Sequence, residues 1–144
     1  MKRLLLVLII LVSIKSYGTK LDTLDYWHVY LNEKVIAKYN SVSKDLTIKL
    51  DKTIITKNDT ISIRYGKDTR CVNCEYVLFV SDEKKRKLRI TQSKIFWDKL
   101  SFNLKDLVDF GDKNGSKIYN FYYWEKDEKG KATSMKLVLK MKIE

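Results

Sequence analysis

Two cysteines three residues apart are the most chemically specific feature of the sequence. Cys71 and Cys74 stand in DTRCVNCEYVLFV, residues 68–80, directly before a β-rich run. Such a pair can be a redox-active dithiol, part of a metal site or a local disulfide. A thioredoxin-type redox site places its first cysteine at a helix N-terminus, where the dipole stabilises the thiolate. The strand pattern after Cys74 does not provide that support.

The remaining alternatives for the cysteine pair differ in the partners they need. A structural zinc site takes four ligands, and the chain has only two cysteines and one histidine, so no metal is expected. In an exported protein the default state of the pair is a disulfide. Closing a loop of about four residues removes only about 2 kcal/mol of chain entropy. We therefore predict a structural Cys71–Cys74 disulfide that shapes its loop, with a redox-active pair as the alternative.

His28 is the single histidine and the first candidate for catalysis. It lies in DYWHVYL beside Tyr26 and Tyr30, on the face of a predicted strand opposite Trp27. The chain has no Gly-x-Ser-x-Gly nucleophile elbow, no glycine-rich phosphate loop and no zincin motif. Few of the partners that a catalytic histidine needs are visible. We interpret His28 as a partly exposed structural residue and predict a non-enzymatic protein without a cofactor.

The stretch IYNFYYWE, residues 118–125, is aromatic on both faces if it forms a strand. One interpretation is a central strand whose two faces are both covered, because large rings usually pack in cores. The other is that one row is exposed as a flat platform for sugar rings or a partner protein, since exposed apolar patches mark interaction sites. The candidate binding residues of this stretch are Tyr119, Phe121, Tyr122, Tyr123 and Trp124.

The densest basic cluster is Lys84, Lys85, Arg86 and Lys87, at the tip of a predicted hairpin. Such a run is either a solvated turn or part of a surface that attracts polyanions. The chain lacks an aromatic-basic nucleic-acid motif, so nucleic acid is not the expected partner. The predicted partners are an acidic glycan, an anionic surface such as lipopolysaccharide or membrane headgroups, or a protein.

The first residues have the pattern of a secretory signal peptide. Lys2 and Arg3 precede an apolar run from Leu4 to Val12, and small residues lie near Gly18. The run is too short for a membrane anchor, which needs about 20 apolar residues. Cleavage after residue 18 would leave one soluble domain of residues 19–144. It removes three basic residues and no carboxylate, so the net charge falls from +11 to +8. The sequence predicts a periplasmic or extracellular protein.

Period-2 alternation of apolar and polar residues predicts the elements that position these groups. Three strands follow from strict alternation, at 46–50, 60–65 and 135–143. Further strands are predicted at 27–31, 35–39, 76–81, 88–91, 95–97 and 118–125. One short helix is predicted over 104–110, because Asn103 is a good N-cap and Gly111 can end a helix. Strands at this spacing are typical of an all-β antiparallel sandwich.

The helical crossing before a tyrosine-rich strand resembles the corner between the fifth and sixth strands of immunoglobulin-like sandwiches. The resemblance covers general architecture only, because the chain lacks the cysteines that pair across the two sheets of antibody domains. The sequence therefore predicts an exported, non-enzymatic β-sandwich protein with a binding or structural role. A thiol–disulfide redox protein that uses Cys71 and Cys74 is the alternative.

Overall fold

The structure, a computed structural model, describes residues 24–144; the predicted signal peptide lies outside the described residues. These residues form mostly β-structure with a single α-helix. The strands are β1 (Tyr26–Leu31), β2 (Lys34–Asn40), β3 (Thr47–Leu50), β4 (Thr60–Gly66), β5 (Glu75–Asp82), β6 (Lys87–Ser93), β7 (Leu100–Asn103), β8 (Ile118–Lys126) and β9 (Lys136–Ile143), and α1 is Leu104–Asn114. Within this range there is no helix with the length and apolar character needed to span a membrane.

The strands form two sheets, with the order β2-β1-β4-β7 in one and β3-β9-β8-β5-β6 in the other. The predicted all-β class is confirmed. Pairing is antiparallel in both sheets except that β3 runs parallel to β9. β3 and β9 lie far apart in the sequence, so no hairpin turn sets their relative direction. The prediction of a wholly antiparallel sandwich is therefore wrong at this pair.

The core lies between the two sheets and includes a stack of three aromatic rings. Tyr65 of β4 stacks on Trp27 of β1 with ring centroids 5.6 Å apart, and on Tyr123 of β8 at 3.9 Å. The indole N–H of Trp27 donates to the Val138 carbonyl oxygen at 2.6 Å, which satisfies its one polar group inside the core. The stack and this hydrogen bond join the two sheets.

The region before β7 differs from the prediction. Residues 95–97 form a turn, with the Asp98 N–H donating to the Ile95 carbonyl oxygen at 3.3 Å, and Trp97 has φ +64°. The strand in this region is β7, which pairs with β4. Three apolar residues in a row resemble a buried strand, whereas the short LSFN segment has too little alternation to be noticed.

α1 begins as predicted but ends later. The Asn103 side-chain oxygen accepts hydrogen bonds from the N–H groups of Lys105 at 2.8 Å and Asp106 at 3.3 Å. The helix continues through Gly111 to Asn114, and Gly115 at φ +67° ends it. The predicted end at Gly111 is therefore wrong. The glycine at position 111 is needed for close packing instead, because a Cβ there would clash with the Tyr119 hydroxyl and the Ser116 carbonyl oxygen.

A β-bulge changes the face on which part of β9 lies. Phe121 is opposite Leu139, but its neighbour Tyr122 is opposite Leu137, so Val138 is the extra residue. A one-residue shift moves side chains to the other face of a sheet. Leu137 therefore lies outside with 40% of its surface exposed, whereas the alternation had placed it with Leu139.

Candidate functional site

β8 separates its aromatic residues into a buried row and an outer row. Tyr119, Phe121 and Tyr123 are fully buried between the sheets. The Tyr119 hydroxyl donates to the Leu107 carbonyl oxygen at 2.5 Å, and burial raises its pKa to about 12. These three candidate binding residues therefore pack in the core and are not accessible to a ligand.

Tyr122 and Trp124 lie half-buried on the outer face of the five-stranded sheet. Both contact Phe79 of β5, whose ring centroid is 6.1 Å from that of Tyr122 and 6.2 Å from that of Trp124. Ile90 of β6 and Leu137 of β9 extend this apolar surface, with 55% and 40% exposure. We call these five residues the aromatic patch.

The strand register explains why the aromatic patch is continuous. Leu137, Tyr122, Phe79 and Ile90 are successive cross-strand neighbours along β9, β8, β5 and β6. Directly opposite side chains in antiparallel strands have Cβ atoms about 4.5–5.5 Å apart, so they pack side by side. Phe79, Ile90 and Leu137 were not predicted as site residues, because alternation within one strand does not reveal which strands lie beside it.

Four lysines lie on the same face of the sheet as the aromatic patch, and we call them the lysine group: Lys49, Lys87, Lys140 and Lys142. Lys49 of β3 is opposite Lys142 of β9. Lys140 of β9 and Lys87 of β6 are the two ends of another line of cross-strand neighbours, which passes through β8 and β5. The Lys87 Nζ lies 5.8 Å from the centroid of the Phe79 ring. Glu144 forms an ion pair with Lys142, whose hydrogen bond holds the pKa of Glu144 below its ordinary value.

The basic cluster at 84–87 is divided by the fold. Lys84 and Lys85 are exposed at the β5–β6 turn, and only Lys87 belongs to the lysine group. Arg86 instead has a structural role. Its guanidinium donates to the Asp82 carboxylate at 2.6 Å, the Asn114 carbonyl oxygen at 3.1 Å and the Ser116 hydroxyl at 2.7 Å. Arg86 thereby connects the turn to the end of α1.

Cys71 and Cys74 form a disulfide in the loop between β4 and β5, with Cα atoms 5.7 Å apart. Cys74 is buried and Cys71 is half-buried. A carboxylate oxygen of Glu125 lies within 4.8 Å of the sulfurs. Glu125 is buried on β8, where it forms an ion pair with Lys67 and accepts a hydrogen bond from the Tyr123 hydroxyl at 3.2 Å. Three groups are fewer than the four ligands of a structural zinc site.

The local sequence around the cysteines gave no signal for Glu125, because more than fifty residues separate it from Cys71 and only the β5–β8 pairing brings them together. The aromatic patch lies on the outer face of the five-stranded sheet, whereas the disulfide lies in the loop before β5.

Compared with known proteins, the chain matches no family model, no curated protein sequence and no solved structure.

Proposed function

We propose that the protein is an exported, non-enzymatic binding module that holds an acidic glycan on the outer face of its five-stranded sheet. The observation that carries the proposal is that the aromatic patch and the lysine group share one face of the sheet, with the Lys87 Nζ 5.8 Å from the centroid of the Phe79 ring. Flat aromatic side chains offer large apolar contact area for sugar rings at low entropic cost. The lysines attract carboxylate or sulfate groups on the same chain of sugars.

The shape of the aromatic patch favours a polysaccharide over a membrane surface. Neighbouring strands lie about 4.8 Å apart, so the four-strand line from Leu137 to Ile90 extends over about 14 Å. That length accommodates more than one sugar ring. Phe79, at the centre, is only 9% exposed. The accessible rings are Tyr122 and Trp124, which lie half-buried beside it, and flat half-buried rings are suited to stacking rather than to insertion into lipid.

We also propose that the fold is immunoglobulin-like. Strands β1, β4 and β7 correspond in order to A, B and E of such sandwiches, and β9, β8, β5 and β6 to G, F, C and C′. The Tyr119 hydroxyl donates back to Leu107 from the start of β8, as in the tyrosine corner of these domains. An exported protein with this architecture is suited to a binding role.

The binding proposal predicts separate contributions from stacking and charge. Tyr122→Ala should weaken binding of polygalacturonate or heparin about tenfold, or about 1.4 kcal/mol, at any salt concentration. Lys140→Glu should weaken it at 0.05 M salt, with a smaller effect at 0.5 M because salt screens exposed charges. Isothermal titration calorimetry on residues 19–144 measures both effects.

Lys57→Glu is the matched control, because it makes the same charge change at an exposed lysine before β4. It should weaken binding less than Lys140→Glu does. Circular dichroism checks that each variant is folded. The proposal is wrong if neither polysaccharide binds at 0.1 M salt, or if Tyr122→Ala binds as tightly as the parent. Preferential binding to anionic lipid vesicles would instead identify a membrane surface as the partner.

A thiol–disulfide redox role is the second candidate, and one observation favours it. The buried Glu125 carboxylate lies within 4.8 Å of the sulfurs, where it can accept a proton from a thiol when the disulfide is reduced. Against this role, the cysteines lie in a loop before a strand and not at a helix N-terminus. We expect no turnover in an insulin-reduction assay. Turnover that disappears in Cys71→Ser would favour the redox role over the binding role.

A further inference from the structure

The outer face of the four-stranded sheet has three basic residues in one cross-strand line. Lys38 of β2 is opposite His28 of β1, and His28 is opposite Arg64 of β4. All three side chains lie on the side of the sheet away from the core, since the alternate residues Trp27 and Val29 are buried. Protonation of His28 places like charges directly opposite each other on this line, which destabilises a sheet. A bound anion would offset this repulsion.

The Arg64 guanidinium has one buried nitrogen, Nε, without an acceptor in the part of the chain that the structure describes. The guanidinium carbon lies 5.6 Å from the centroid of the Tyr30 ring. A buried donor without a partner destabilises the folded protein. The guanidinium fork matches the oxygen atoms of carboxylates and phosphates, and Arg64 is only half-buried, so an oxyanion over this face would meet the accessible part of its side chain.

Aromatic rings border the basic line on both sides. Tyr30 lies on one side, and Tyr26 and Trp97 lie on the other with their ring centroids 5.1 Å apart. The Trp97 and His28 rings are nearly perpendicular, with their centroids 5.3 Å apart. Gly66 makes this arrangement possible, because a Cβ there would lie 2.6 Å from the Trp97 ring and 2.7 Å from the Tyr26 ring.

Trp97 adopts an unusual backbone conformation to reach this position. Its φ of +64° lies in the left-handed region, which bulky side chains rarely occupy. Strained residues of this kind cluster at ligand sites, where the surrounding structure holds them in place. The loop is held by the Ser93 hydroxyl, which donates to the Asp98 carboxylate at 2.7 Å. Trp97, which adopts this strained conformation, is also the residue whose ring lies beside His28.

The electrostatics of this face favour anions. Burial lowers the pKa of His28 from its ordinary value of 6.5, and the charges of Lys38 and Arg64 lower it further. Next to Tyr30, Lys99 forms an ion pair with the exposed Glu33, and its Nζ lies 4.7 Å from the Tyr30 ring centroid. Among residues 24–144 the two charged groups that act on His28 are cations, whereas the exposed Glu33 carboxylate also interacts with Arg64.

We propose that this face is a second binding site, separate from the aromatic patch, which takes a compact oxyanion attached to a sugar ring. Arg64, His28 and Lys38 bind the carboxylate, sulfate or phosphate group, and Tyr26 and Trp97 contact the ring. The proposal does not depend on glycan binding at the five-stranded sheet. Because linkage is reciprocal, a ligand that favours protonated His28 binds more tightly as the pH falls.

The experiment follows the Cε1–H signal of His28 by NMR, since His28 is the single histidine of the chain. Its pKa is measured in sodium chloride, and then at equal ionic strength in sodium sulfate, glucuronate and glucose 6-phosphate. We expect the sugar anions to raise the pKa of His28 by about one unit, which corresponds to about tenfold tighter binding to the protonated form. Inorganic sulfate should raise it less, because it cannot contact the aromatic rings.

Variants separate the roles of the residues. Arg64→Met should abolish the anion-dependent change, and Arg64→Lys should retain only part of it because lysine lacks the fork. Tyr26→Leu should reduce the glucuronate response to that of sulfate. Lys57→Gln is the control and should respond like the parent. The site is refuted if the sugar anions leave the pKa of His28 as in chloride, or if Arg64→Met responds like the parent. An equal response to sulfate and glucuronate refutes the ring contact.

Discussion

Replacing Phe121 by alanine is expected to lower the free energy of unfolding by about 3–5 kcal/mol, the typical cost of removing a buried phenylalanine ring. Phe121 has no exposed surface, and its ring contacts Phe102 of the opposite sheet with centroids 5.9 Å apart. The substitution leaves a cavity between the sheets that rigid neighbouring strands cannot close. Such a loss is a large part of the about 5–15 kcal/mol by which domains are stable.

The matched control is the neighbouring residue on the same strand. Tyr122 lies on the outer face, so Tyr122→Ala should cost only about 1 kcal/mol, as for most substitutions outside the core. Urea unfolding monitored by fluorescence measures both variants, and an unchanged slope with denaturant would show that the difference lies in stability. Equal losses for the two variants would contradict the assignment of the two aromatic rows.

Replacing Arg86 by methionine is expected to destabilise the protein at pH 7 through Asp82. Asp82 is fully buried and accepts hydrogen bonds from the Arg86 side chain, the Arg86 N–H and the Ser116 hydroxyl. We expect a loss of about 2–3 kcal/mol, below the about 3–5 kcal/mol of a fully buried pair, because the Arg86 side chain is 38% exposed.

The effect should depend on pH in a defined direction. Burial acts to raise the pKa of Asp82, but the hydrogen bonds from Arg86 and Ser116 and the charge of Arg86 outweigh it, so the pKa is lowered. A lowered folded-state pKa contributes stability that is present above the unfolded-state value of about 3.9 and is lost as the pH falls through the folded-state value. The difference between parent and Arg86→Met should therefore shrink below about pH 4.

Urea unfolding of both proteins between pH 3 and pH 7 tests this expectation. Lys84→Met is the matched control, because it removes a positive charge from the same turn and its side chain is exposed. It should change stability by no more than about 0.5 kcal/mol at pH 7. A cost for Arg86→Met that is the same at pH 3 and pH 7 would show that Arg86 stabilises the turn by packing alone.

Most of the strands could be predicted from the sequence because period-2 alternation is a local property. The alternation at Ile61, Ile63 and Tyr65 corresponds to side chains buried on one face of β4. The Asn103 cap is equally local, since its side chain bonds to the next two or three N–H groups. The exceptions were residues 95–97 and β7, where a short apolar run and a short strand gave no reliable period.

The sequence by itself determined the all-β class and the two aromatic rows of β8, and it predicted a disulfide between the neighbouring Cys71 and Cys74. Only the tertiary structure decided which row is buried, that Phe79 lies beside Tyr122, and that Lys38, His28 and Arg64 form one line. These contacts join residues far apart in the chain. They depend on strand order and register, and a single bulge is sufficient to move Leu137 to the opposite face.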